Sequence, residues 1–503
     1  MTDPTTDRSA GPARQSTGAA ALDGFGPFTW RDLLGLGVAV GLLTILSVYQ
    51  LGSRSFWRDE VSSVVFASAS LPDLLTIIDR ERAKVGVPNM ATYYVVLHFW
   101  LAVGETEARI RFLSVLFGVA TTVPVFLVAR RIGGTTAAIL AALAFASSSV
   151  VIIWSQEARG YSLAMLVAAV LTLLVLHATE RQRTWMWAAY GVVAALGIYV
   201  HFFVAFVIAA HGLWVLLTRS WPRRWPGLVA VLVPLVLSVA PLPIVAASLP
   251  GAVGWVPSLT LSGARVALRG LAGSDMLLIA VVVLAGFAAY TRRSDRRVWL
   301  VLGALLVPIL GAAIISLAKP VFLARYLVVA TPAIAMMLGV GLASIRPRVL
   351  GAAAILVVVI LAAVDLPSAY RDRHQQDWRA AGRELQRAAI PGDAIAYVPD
   401  ASTRRQIEYY LERFDAPVVP VRTSLNRMLA GDDPPRLWVV ALRPSGAERD
   451  ALRGQLSDRY EAVMDAPFGG RLRMLLFERR DDPLGGGCLL RSGGSHSCPR
   501  EKS

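Results

Sequence analysis

One long apolar run after another constrains this chain before anything else does. They fall at 31–51, 110–129, 136–153, 161–178, 185–200, 203–217, 227–248, 275–291, 298–317, 326–344 and 349–365. A bilayer core asks for roughly 20 apolar residues per helix. No water-soluble globule needs a chain of 503 residues that is 55% hydrophobic, with a mean hydropathy of +0.54. The reading is an all-α polytopic membrane protein of about eleven transmembrane helices.

The net charge of +15 is not a nucleic-acid footprint, because much of it lies in short loops between the apolar runs. These loops hold Arg130-Arg131, Arg181 and Arg183, Arg219 with Arg223-Arg224, Arg292-Arg293 with Arg296-Arg297, and Arg346 with Arg348. Short Arg-rich loops belong on the cytoplasmic side, where they also meet anionic membrane lipids. A twelfth apolar stretch, 89–104, decides the parity. If it spanned the bilayer, every later basic loop would face outward. Laid along the outer leaflet, with Tyr93, Tyr94, Phe99 and Trp100 at head-group depth, it puts all five basic loops inside. The N-terminus is then cytoplasmic. The outer face carries 52–109, 154–160, the Tyr199–Phe203 turn, 249–274, 318–325 and everything after about 366.

Residues 1–27 read as a disordered cytoplasmic tail without a signal peptide's apolar core. From 28 to 366 runs the transmembrane domain. From Pro367 the composition shifts. Helical spacing at Gln376–Ala389, Thr403–Phe414 and Glu448–Leu456 alternates with strand-like runs at Ala394–Val398, Val418–Val421, Arg436–Leu442 and Arg471–Phe477. That alternation predicts a small extracytoplasmic α/β domain over 367–481. A flexible Gly/Ser-rich tail follows at 482–503, holding Cys488 and Cys498.

Polar residues worth singling out lie on the predicted outer face. Phe56-Trp57-Arg58-Asp59-Glu60 sets two adjacent acids beside interfacial aromatics, where burial makes a carboxylate a better proton acceptor. A solvated helix end is the competing reading. The turn Trp154-Ser155-Gln156-Glu157-Ala158-Arg159-Gly160-Tyr161 packs acid, amide, guanidinium and phenol into a few residues, and Arg159 suits a phosphate. Lys319 and Arg325, near Tyr326, are outward cations against the usual bias. Two such cations near two acids fit an anionic ligand better than snorkelling side chains. His98, His201 and His211 each have a structural role as the simpler reading. The run Asp79, Arg80, Glu81, Arg82 and Lys84 reads as solvated. No His-x-x-x-His pair, Cys cluster or EF-type loop marks a dedicated metal site.

In order and spacing these residues resemble the GT-C class of integral-membrane glycosyltransferases. The likeness is greatest to the glycosyltransferase family 39-like branch, with its protein O-mannosyltransferases and lipid A aminoarabinose transferases. Four features carry it over roughly 31–345: Asp59-Glu60 after the first helix; Tyr93-Tyr94 to Trp100, followed by Glu107-Ala108-Arg109 and Arg111-Phe112-Leu113-Ser114; Ser155 to Tyr161; and Ala324-Arg325-Tyr326-Leu327. The family's Pro-Pro pair before the Tyr-rich helix is replaced here by Val87-Pro88-Asn89.

The resemblance implies transfer of a sugar from a polyprenyl-phosphate donor to an acceptor hydroxyl on a glycan, lipid or protein. Mannose is the first expectation, with arabinose, aminoarabinose, galactose and hexosamines open. Asp59 is then the base of an inverting displacement, and Glu60 orients it or the acceptor. Arg159, Lys319 and Arg325 hold the departing phosphate. Glu157, Tyr161, His98, His201 and Tyr326 are candidate substrate contacts. No cofactor is required, although a divalent cation would suit the leaving phosphate. A transporter or lipid flippase is the rival, and it predicts midplane charges and internal pseudo-symmetry. A non-catalytic scaffold is the second rival.

Overall fold

The computed structural model describes residues 27–80, 87–239, 256–372, 374–398, 400–414, 421–422 and 434–480. Residues 1–26 of the expected tail 1–27, the expected tail 482–503, both cysteines, Glu81, Arg82, Lys84, residues 240–255 and 418–420 lie outside the described residues.

The chain is mainly helical. The helices α1 (Trp30–Val48), α2 (Arg58–Ser68), α3 (Leu71–Arg80) and α4 (Ala91–Trp100) lead into α5 (Glu107–Ala146) and α6 (Ser149–Ser155). Then come α7 (Tyr161–Arg181), α8 (Thr184–Val200), α9 (Val204–Leu217) and α10 (Trp225–Val239). After the undescribed stretch follow α11 (Leu261–Ala272), α12 (Asp275–Thr291), α13 (Arg296–Ser316), α14 (Thr331–Ser344) and α15 (Arg348–Asp365).

Among the described residues six helices are long and apolar enough to cross a membrane, or seven if the bent pair α11 and α12 counts as one span. The remaining apolar stretches of the expectation appear as shorter pieces. At 1.5 Å per residue, α8 and α9 rise only about 25 and 21 Å, short of the ~30 Å hydrocarbon core. Helix α4, with ten residues, rises about 15 Å and is too short to span.

Two features depart from a simple row of rods. Helix α5 is broken at Gly134, whose φ of 74° suits a residue without a Cβ. The chain reverses there, because a Cβ on Gly118 would meet Ser155, and the Ser114 hydroxyl donates to the Arg159 carbonyl at 3.4 Å. The stretches 110–129 and 136–153 are thus the two arms of one hairpin. The expected loop 249–274 contains α11, which meets α12 at 78°. Its Arg265 and Arg269 interrupt the apolar run, which hid the helix.

The helix ends sort by charge. Arg130 pairs with Asp32 (3.1 Å), Arg131 and Arg297 both reach Glu180, the Arg223 N–H donates to Gln182 (3.1 Å), and Arg292 donates to Ser344 (3.5 Å). These contacts gather the basic loops at one end of the bundle. Residues 47–60, 154–161 and 319–326 meet at the other end.

The C-terminal region carries a five-stranded sheet of order β2-β1-β3-β5-β4, from β1 (Ala394–Val398), β2 (Val421–Arg422), β3 (Arg436–Leu442), β4 (Tyr460–Pro467) and β5 (Leu472–Arg479). Pairs β1/β2 and β1/β3 are parallel, and β3/β5 and β4/β5 are antiparallel. Side chains alternate across it as a pleat requires. Ile395, Trp438 and Met474 face α16 (Trp378–Ala388) and α17 (Asp400–Arg413), while Ala396, Val439 and Leu475 face α18 (Gly446–Leu456). Strand β4 was not expected. It is an edge strand exposed along Glu461–Val463, so no apolar alternation announces it.

Candidate active site

The site forms where the loop after α1, the turn between α6 and α7, and the loop before α14 converge. Adjacent acids have different fates there. Glu60 is fully buried. Its carboxylate takes two hydrogen bonds from Arg111 of α5, Nε to Oε1 at 2.8 Å and Nη2 to Oε2 at 2.7 Å. It also accepts the Ala158 N–H at 2.8 Å and, at 3.3 Å, the N–H of Trp57 just ahead of α2. Arg111 spends its remaining donors on the carbonyls of Leu51, Arg54 and Ser55 (2.8–3.2 Å). Both charges are matched in a bidentate fork. Glu60 therefore joins the loop, α5 and the 156–160 turn, and its oxygens are occupied by protein donors.

Asp59, one residue earlier, points elsewhere. Its side chain keeps 22% of its surface exposed. Oδ2 lies 3.6 Å from Arg325 Nη1, and Oδ1 lies 3.7 Å from Arg58 Nε. It also sits in the first turn of α2, where the helix dipole favours negative charge.

Arg159 closes the other side. Its Nη1 donates to the Asp59 carbonyl (3.2 Å), Ser63 Oγ (3.1 Å) and the Tyr94 hydroxyl (3.2 Å). Its Nε is buried without a hydrogen-bond partner among the described residues. Burial opposes the charge, but Tyr94 and Asp59 beside it hold its pKa above the ordinary value. The structure thus brings Asp59, Arg159 and Arg325 together.

Beneath them lies an aromatic floor. His201 is fully buried, its ring 5.9 Å from Tyr161, 5.7 Å from Tyr326 and 5.5 Å from Phe203. Its Nδ1 accepts the Phe203 N–H at 3.2 Å. Burial first, and then Arg159 and Arg325, push its pKa down to about 3, so the ring is neutral. Arg325 and Arg159 lie over the rings of Tyr326 and Tyr161 at 5.5 and 5.9 Å.

Three expected residues stand differently. Lys319 shares the loop of Arg325, and its ammonium makes no ion pair among the described residues. His98 bonds the Ala67 carbonyl (2.8 Å) at the far end of α2, about 12 Å of helix from Asp59. Glu157 turns toward His374 (3.8 Å), whose ring stacks on Trp57 at 4.1 Å.

Sequence reasoning gave no site role to three residues. Tyr94 was read as a head-group aromatic, yet it is buried and bonded to Arg159. Ser63 follows Asp59 by one helical turn and carries no signal by itself. Arg111 could have been found as an arginine opening an apolar span, which needs a buried acid. Among the described residues no group of three or more His, Cys, Asp or Glu side chains gathers to hold a metal ion.

Residues 87–244 match the model of the dolichyl-phosphate-mannose-protein mannosyltransferase family. No curated protein sequence matches the chain. The structure is similar to ArnT from Cupriavidus metallidurans in the apo state, with a TM-score of 0.60 and 16% identity, over 88% of this chain and 97% of that one. It is also similar to the same protein bound to undecaprenyl phosphate, with a TM-score of 0.56, 14% identity and the same coverages. A third likeness is to the archaeal oligosaccharyltransferase AglB from Archaeoglobus fulgidus in complex with an inhibitory peptide and a dolichol-phosphate. There the TM-score is 0.50 and the identity 11%, over 91% and 75% of the chains. The fold is that of the GT-C class of membrane glycosyltransferases.

Proposed function

We propose that this GT-C protein transfers a sugar from a polyprenyl-phosphate carrier to an acceptor hydroxyl, at the end of the bundle that faces away from the cytoplasm. The carrying observation is Asp59 Oδ2 at 3.6 Å from Arg325, with Arg159 bonded to the carbonyl of that same aspartate. The basic loops lie at the opposite end, and Arg-rich loops stay cytoplasmic. Nucleotide sugars stay in the cytoplasm, so an outward-facing transferase needs a donor already carried across by a lipid. Undecaprenyl phosphate in ArnT and dolichol-phosphate in AglB are bound by proteins of this fold, which supports the class of carrier.

The reaction is an inverting displacement. The acceptor oxygen attacks the anomeric carbon and its proton passes to Asp59. The bond from that carbon to the phosphate oxygen breaks, and the electron pair leaves with the polyprenyl phosphate. A phosphate leaving group needs charge stabilisation more than a proton, and Arg325, Arg159 and Lys319 supply it. Glu60 positions Asp59 through the α2 N-terminus. Tyr161, Tyr326 and neutral His201 form an uncharged wall under the cations. The sugar proposed first is mannose, which the matching family's description supports.

The test is the purified protein in lipid nanodiscs with labelled polyprenyl-phosphate mannose, then pentose and hexosamine analogues. Acceptor-dependent release of polyprenyl phosphate with a new glycosidic bond is expected. In sealed vesicles, movement of the labelled lipid between leaflets with no glycosidic product would replace transfer with transport.

A further inference from the structure

The strip 52–56, which leads from α1 into α2, is held from two sides. On the bundle side Arg111 takes the Leu51, Arg54 and Ser55 carbonyls. On the other side stands the α/β domain. Arg379 of α16 donates to the Gly52 carbonyl (3.3 Å) and the Ser53 carbonyl (2.9 Å). Ser55 Oγ donates to the Gln376 carbonyl (2.9 Å) and accepts the Trp378 N–H (3.1 Å). The Phe56 N–H donates to the Tyr410 hydroxyl at 2.7 Å.

Tyr410 is the hub. It is 1% exposed, sits on α17, and its hydroxyl donates in turn to Glu107 in the first turn of α5. The second oxygen of Glu107 pairs with Arg379 at 3.2 Å. Burial, with Glu107 alongside, raises the phenol's pKa and keeps it a donor. One hydroxyl therefore ties the α/β domain, the start of α5 and the strip together. Asp59 follows Phe56 by three residues, and α2 begins between them, so the height of Phe56 sets the height of Asp59.

We infer that Tyr410 is a positioning residue for Asp59, and that the α/β domain braces the catalytic loop at its working distance from Arg325. The inference rests on the reading of Asp59 as the base. Tyr410 touches neither Asp59 nor Arg325 and acts through the backbone of residues 56–58. Phenylalanine would fill the same space but leave the Phe56 N–H and a Glu107 oxygen buried and unpaired. The strip would then shift or loosen, and a misplacement of about 1 Å at a catalytic group costs on the order of 100-fold in rate.

The experiment uses full-length protein in nanodiscs, wild type against Tyr410→Phe, with Arg379→Gln as a second variant that keeps the phenol. Two readouts are taken: amide hydrogen exchange along 51–63, and kcat with KM for the lipid donor. Exchange across 52–60 should speed up about ten-fold or more while the β3 and β5 amides keep their protection. The kcat should fall about 10- to 100-fold with donor KM changed less than about three-fold. Wild-type exchange and kcat in both variants would overturn the inference. So would protection lost throughout the domain with kcat and KM failing together, since that is a folding defect. If the wild type transfers no sugar, the proposed function falls, and the exchange pattern still decides whether the domain braces the loop.

Discussion

Asp59 and Glu60 are neighbours in the chain and opposites in the fold. Glu60 is fully buried, forked to Arg111 and capped by the Ala158 N–H. Asp59 is partly open and faces Arg325 at 3.6 Å. In α2 adjacent residues point about 100° apart, so one carboxylate enters the joint between segments and the other enters the cleft. A buried, fully bonded carboxylate is a fixture. A part-exposed one with no direct protein hydrogen bond to its carboxylate among the described residues, 3.6 Å from a guanidinium, is open to the cleft. Glu60 holds the loop in place, and Asp59 is the acid that the proposed reaction needs.

Four perturbations test the contrast between the two acids. The largest effect is expected from Asp59→Asn, which should lower turnover by about 100- to 10,000-fold, the usual worth of a positioned base. The melting temperature should stay within about 2 °C of wild type; retained turnover would remove Asp59 as the base. Next is Arg111→Met, which strands a buried carboxylate and should cost about 3–5 kcal/mol of stability. Its signature is a lowered melting temperature and poor yield before any kinetic change. A stable, slow enzyme would instead make Glu60 a direct participant.

Arg325→Ala comes third. Charged hydrogen bonds are worth about 1.5–3 kcal/mol, so kcat/KM for the lipid donor should fall roughly 10- to 150-fold. The KM for the acceptor should move little. Equal loss for both substrates would count against a phosphate role.

The smallest effect concerns His201. Its folded pKa, about 3, lies below the ordinary 6.5. The unfolded chain therefore binds a proton that the folded one refuses. The stability is complete above pH 6.5 and is lost as pH falls from there toward 3, by at most about 1.4 kcal/mol per pH unit. Melting curves from pH 7.5 to 5 should slope downward in the wild type and be flatter in His201→Gln. Parallel slopes would mean that folding leaves the pKa of this ring unshifted.

Several features were legible in the sequence. Apolar run length marks helices because a bilayer imposes a length. The five Arg-rich loops marked one end of the bundle because charge sorts by side. In the α/β domain, β3 falls at Arg436–Leu442 as its apolar run predicts, since a central strand buried on both faces is apolar throughout. The edge strand β4 was invisible because a mostly solvated strand has no such run.

Residue order alone puts this chain in a membrane, gathers its basic loops, and sets paired acids after its first helix. Local spacing and solvent preference are enough for that. Only tertiary structure decided that Glu60 belongs to Arg111, 51 residues away in the chain, that Tyr94 serves Arg159, that His98 stays outside the site, and that Tyr410 reaches Phe56 across 354 positions. The physical reason is that a buried charge or hydroxyl must find its partner in space. Packing chooses that partner, and spacing along the chain carries no trace of the choice.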